Sequence, residues 1–129
     1  MFDFSIINLG ANLLINSPEQ IFTEKMKSLL KFNIRSTRYK DIFDFYYLID
    51  NKLLNKEKLE NCFKILIYDD KSINVNNVKD LINQFEKITS SRLYKINLNN
   101  PKYNWLDKNI DDVIDKIKNY LITMEIVTI

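Results

Sequence analysis

Ser17-Pro18-Glu19-Gln20-Ile21-Phe22-Thr23-Glu24-Lys25-Met26-Lys27-Ser28-Leu29-Leu30-Lys31-Phe32 is the stretch that decides the fold. Ser17 offers a hydroxyl to cap a helix, Pro18 has the fixed φ that suits the first helical position, and Gln20 completes a capping box. Beyond these, Ile21, Phe22, Met26, Leu29 and Leu30 fall on one arc at 100° per residue, which predicts a helix to Phe32 with one buried face. Lys25 lies inside that arc, whereas Lys27 and Lys31 project to the opposite side. Burying an unpaired ammonium costs several kcal/mol. Lys25 therefore either meets an anionic partner or lays its stem along the apolar face with its ammonium in water. The helix pattern leaves both open.

Downstream, a second helix is expected from Ser36 or Thr37 to Asn51, after a short connection at 33–35. Its apolar residues Tyr39, Ile42, Phe43, Phe45, Tyr46, Tyr47, Leu48 and Ile49 spread almost all round, the pattern of a helix buried on most sides. Lys40, Asp41 and Asp44 share one narrow polar stripe, and the i, i+3 spacing sets the two carboxylates side by side. Such a pair can orient a lysine, accept a proton or sit near a metal-bound phosphate. It can equally be a solvated stripe on a largely buried helix. Three more helices follow: one from an Asn55 cap to Tyr68, one from about Asn76 to Ser90, and a last one carrying Ile110, Val113, Ile114, Ile117, Leu121 and Met124. A loop containing Asn100-Pro101 precedes the last, whose Asp111 and Asp112 suit a positive helix N-terminus.

Upstream, Phe2, Phe4 and Ile6 alternate, and Leu9, Gly10 and Leu13 to Ile15 suggest one or two short strands about a turn. An isolated hairpin is marginal in water, so residues 1–16 are expected to be the edge of a larger sheet. The expected architecture is mainly α, about five helices over 17–129, with a small N-terminal β element in a single domain.

Composition narrows the chemistry. Hydrophobic residues make up 46% and charged residues 28% of the 129, so a folded globular domain is expected. One glycine and two prolines are too few for a turn-dense β fold or a glycine-rich phosphate loop. There is no histidine, which removes imidazole acid–base chemistry, serine–histidine triads and the commonest metal ligand. The single Cys62 excludes a disulfide framework and fits a reducing compartment. A net charge of +2 gives no chain-wide basic footprint for nucleic acid. No apolar run approaches the roughly 20 residues that span a bilayer, so a soluble, cytoplasmic protein is expected.

Two motifs carry a family resemblance. Pro18-Glu19-Gln20-Ile21-Phe22-Thr23-Glu24-Lys25 resembles the third motif of the AbiEii/AbiGii abortive-infection nucleotidyltransferase toxins, in which a Glu-Lys pair opens a helix. Arg35-Ser36-Thr37-Arg38-Tyr39-Lys40-Asp41-Ile42-Phe43-Asp44-Phe45-Tyr46-Tyr47-Leu48 resembles their fourth: an arginine, five residues, aspartate, two residues, aspartate, then an aromatic-Leu run. Order and spacing agree together. Thr23 stands where the family often has alanine.

The resemblance implies the C-terminal part of a DNA-polymerase-β-like α+β nucleotidyltransferase. Lys25 would meet the nucleoside triphosphate, and Asp41 and Asp44 would be the catalytic aspartates. Arg35 and Lys40 would position phosphates or brace the aspartates. The family's first motif, Gly-Ser followed by Asp-x-Asp, is absent from these 129 residues. The carboxylates that would hold Mg²⁺ are therefore missing, no metal ligand is assigned, and the chain alone is expected to be inactive. Implied partners are an antitoxin, tRNA as one acceptor, and a complementary half bearing Asp-x-Asp or a second copy. The rival expectation is a non-catalytic helical module that binds antitoxin, RNA or a partner subunit. Tyr103 and Trp105 either stack on a base or seal one end of the helical core.

Overall fold

The Ser17 hydroxyl accepts from the Gln20 amide at 3.1 Å, and Pro18 stands in the first turn of the helix that follows, as the Ser17 cap and Pro18 predict. The computed structural model describes residues 17–33 and 36–127, with side chains as far as Met124. Within these the elements are α1 (Pro18–Phe32), α2 (Tyr39–Asp50), α3 (Lys56–Phe63), α4 (Val78–Thr89), α5 (Arg92–Leu98) and α6 (Ile110–Val127). Lys64–Tyr68 extends α3 as a π-helical turn. No strand occurs among the described residues. The β element expected in residues 1–16 lies outside them.

Three expectations are corrected. Six helices lie among the described residues where about five were expected, because α5 forms inside the stretch assigned to a loop. Seven residues are too few to hold a helix by propensity alone; α5 is held by burial of Tyr94 and Leu98, one turn apart, against α2 and α4. Next, α2 begins at Tyr39, because Ser36 to Arg38 form a local turn in which the Ser36 hydroxyl accepts from the Arg38 amide at 3.2 Å. Finally, the third helix changes pitch at Lys64 instead of running uniformly to Tyr68, and the wider turn buries Ile67 while leaving Ile65 exposed.

Helix α2 lies at the centre, packed against α1, α5 and α6, while α1 also contacts α3, its π turn and α4, and α4 packs on α6. Phe22 of α1 meets Phe45 of α2 with ring centroids 4.6 Å apart and Phe63 of α3 at 6.2 Å, all three fully buried. Truncating one such ring to alanine costs about 3–5 kcal/mol. A polar contact locks the same corner: buried Glu19 accepts from the Asn55 amide at 2.7 Å, and Asn55 in turn caps α3 by accepting from the Lys58 amide at 3.0 Å. These contacts fix the register of α1 against α2, and with it the place where Lys25 meets the polar stripe. Among the described residues no helix is long and apolar enough to cross a membrane.

Candidate functional site

Lys25 leaves α1 from within its buried arc and reaches α2. Its Nζ lies 2.9 Å from Asp41 Oδ1 and 3.4 Å from Asp44 Oδ2. The i, i+3 spacing on α2 presents both carboxylates to one ammonium, so the paired alternative for Lys25 holds and the snorkelling one does not. The carboxylates are buried, their side chains 8% and 10% exposed, while Lys25 is 25% exposed. Arg38 stands further out at 52% and donates from Nη1 to the other oxygen of Asp41 at 3.2 Å.

A fifth group comes from far along the chain. The Trp105 indole N–H donates to Asp44 Oδ1 at 3.1 Å, across 61 residues of sequence. Trp105 also packs its ring against Tyr47, one turn beyond Asp44 on α2, with centroids 5.6 Å apart. Every carboxylate oxygen of the pair therefore has a donor: Lys25 and Arg38 on Asp41, Lys25 and Trp105 on Asp44. Burial pushes the Asp44 carboxyl above the ordinary carboxylate value, with Lys25 acting against that shift and neighbouring Asp41 adding to it.

Of the residues singled out from sequence, the structure brings Lys25, Asp41 and Asp44 together. Lys40 is exposed and, among the described residues, forms no ion pair with this cluster. Arg35 lies outside the described residues. Two members were missed. Arg38 carried a local signal, its i, i+3 relation to Asp41, while nothing local points Trp105 at Asp44. Trp105 neither seals a core end alone nor stands free, since its indole is committed to a buried carboxylate.

The donor set fits poorly with a metal. Asp41 and Asp44 already face two cations and an indole, and among the described residues no group of three or more His, Cys, Asp or Glu side chains could hold a metal ion. What the arrangement can do is hold an ammonium and a guanidinium at the surface above a buried carboxylate pair. Two positive and two negative charges balance, with the positive ones nearer solvent.

No curated protein and no solved structure matches the chain. The profile described as nucleotidyl transferase AbiEii toxin, type IV toxin–antitoxin system, matches residues 3–116 and so covers the capped first helix, the Lys25 cluster and the Trp105 loop. On that match the chain belongs to the AbiEii nucleotidyl transferase toxin family.

Proposed function

We propose that Lys25, Asp41 and Asp44 form the lysine–aspartate part of a nucleotidyltransferase toxin's centre, which moves a nucleotide from a nucleoside triphosphate to an acceptor such as tRNA. The observation that carries this reading is the layering of charge, with Lys25 and Arg38 outside and the two carboxylates beneath. An approaching triphosphate meets the cations first. Lys25 takes the phosphate charge as a point charge, and Arg38 adds a planar fork. Asp41 and Asp44 keep the ammonium aimed outward, and Lys40 and Arg35 are assigned to phosphates further along the first turn of α2 and before it.

The family's reaction draws on a divalent metal and a triphosphate, but no step is assigned to a metal at Asp41 or Asp44, whose oxygens are taken. Metal-holding carboxylates are assigned to a Gly-Ser and Asp-x-Asp segment, which these 129 residues do not contain. In this arrangement the described residues 17–33 and 36–127 act as one helical bundle. An antitoxin is the expected protein partner of a toxin from a type IV system.

The test is incorporation of label from each nucleoside triphosphate into bulk tRNA with Mg²⁺. The chain alone is expected to give none, and the chain with a polypeptide bearing Gly-Ser and Asp-x-Asp is expected to give transfer that Lys25→Ala lowers by about a hundredfold or more. Transfer that survives Lys25→Ala sinks the reading. The saturated carboxylates favour a second reading, a non-catalytic module that binds antitoxin or RNA. It predicts a stable complex on sizing and no transfer in any combination.

A further inference from the structure

We infer that Trp105 is a positioning residue for Asp44: the loop between α5 and α6 closes over α2 and sets the second aspartate of the centre through the indole N–H. The inference rests on the proposed role of that centre.

The loop is built to deliver the indole. Asn100 accepts at its backbone oxygen from the Tyr103 and Asn104 amides at 2.9 and 3.0 Å, and at its side-chain oxygen from the Lys102 amide at 2.9 Å. The Asn104 side chain spans the loop, donating to the Lys108 carbonyl at 2.8 Å and accepting from its amide at 3.3 Å. Asp107 takes a left-handed conformation at φ 53 to let the chain turn back. Two aromatic contacts then seat the loop on α2, Tyr103 on Tyr39 at 5.0 Å and Trp105 on Tyr47 at 5.6 Å. These contacts fall on either side of Asp44 along the helix.

The indole is a donor with no charge and no acceptor. It can hold one oxygen of Asp44 without competing for the ammonium, leaving Oδ2 for Lys25 at 3.4 Å. The charged groups about Asp44 are Lys25 on α1 and, on its own helix, Asp41, whose far oxygen is held by Arg38. From α6, Lys116 is engaged with Asp50 at the other end of α2. Asp44 is thus oriented by one cation from α1 and one neutral donor from the loop. Removing the donor frees the carboxylate to rotate toward Lys25 and costs it a hydrogen bond that favours the charged form.

Trp105 is the single tryptophan, so the chain gives one indole N–H resonance. In the unmodified protein that resonance is expected to shift with pH alongside the Asp44 carboxyl carbon, and the shift is expected to vanish in Asp44→Asn. Trp105→Phe keeps a ring against Tyr47 and removes the N–H, and it is expected to move the Asp44 midpoint upward. In the complemented tRNA-labelling assay the same variant is expected to lose about tenfold in kcat, the loss of roughly one hydrogen bond to a charged group, with little change in KM. An indole resonance that ignores pH, or that titrates unchanged in Asp44→Asn, overturns the inference in the unmodified chain whether or not Trp105→Phe folds. An Asp44 midpoint that moves in Trp105→Phe without loss of transfer overturns Asp44's place in the centre, and so the functional reading, while the contact itself stands.

Discussion

Two lysine–aspartate pairs of almost equal length tie α2 to its neighbours, Lys25–Asp41 at 2.9 Å toward α1 and Lys116–Asp50 at 2.8 Å toward α6. Distance does not separate them; surroundings do. Lys116 and Asp50 are 43% and 45% exposed, and water can replace either partner. Asp41 is 8% exposed and shares its lysine with a second buried carboxylate, so water does not readily stand in for either partner there. An exposed pair is a decoration that salt screens, whereas a buried cluster specifies how two helices meet and leaves few alternatives.

The largest test of that contrast is deletion of one anion from each pair. Asp41→Ala leaves Lys25 and Arg38 with one fewer carboxylate and is expected to cost about 3 kcal/mol in a denaturant melt, the range for breaking a buried pair. Asp50→Ala is expected to leave the melt where it was. Equal losses in the two variants would mean that burial does not distinguish the pairs.

Removal of Glu19's hydrogen bond is the next largest effect. Glu19→Ala orphans the Asn55 amide and is expected to destabilise by about 1–3 kcal/mol, read from the same melts. If the register of α1 sets the cluster, this variant should also broaden the Trp105 indole resonance, although Glu19 does not touch the indole. A sharp, unshifted resonance would uncouple the corner from the cluster.

Acid sharpens the comparison through opposite signs. Burial raises the Asp44 carboxyl above its ordinary 3.8, so its contribution favours the folded chain fully below that value and is lost as pH rises through the folded midpoint. The hydrogen bond from Lys116 lowers Asp50 from the same 3.8, so its contribution is present above that value and is lost as pH falls through the folded midpoint. Carboxyl-carbon titrations by NMR should therefore place the two aspartates of α2 on opposite sides of the ordinary value. Both on one side would contradict the contrast.

Ionic strength gives the smallest effect. At 1 M salt the Debye length falls to about 3 Å, so the Asp50 midpoint is expected to return toward the ordinary value while that of Asp44 moves less. Lys40→Ala should change neither melt nor midpoint, since Lys40 is exposed and outside the cluster.

Much of this was legible before any coordinates. Ser17 and Asn55 cap helices through contacts three residues away, and such local chemistry is written directly into sequence. The apolar arc of α1 marked Lys25 as the lysine needing an explanation, and the i, i+3 aspartates marked where an explanation could lie. Helix α5 escaped because its seven residues carry no signal longer than two turns. Trp105 escaped because its partner is 61 residues away, and no periodicity connects an indole in a loop to a carboxylate on a distant helix.

Sequence by itself therefore determined the helices that have caps and long apolar faces and the order and spacing of the two motifs, and it marked Lys25 as the lysine whose position needs a reason while leaving its ammonium either paired or in water. Only the tertiary structure decided which anions it finds, that Arg38 joins them from outside, and that a loop returns to hold Asp44 from the other side. The physical reason is range: caps and amphipathic periods act over one to four residues, while the packing of α1, α2 and the Trp105 loop is settled by which buried surfaces fit once all the helices exist.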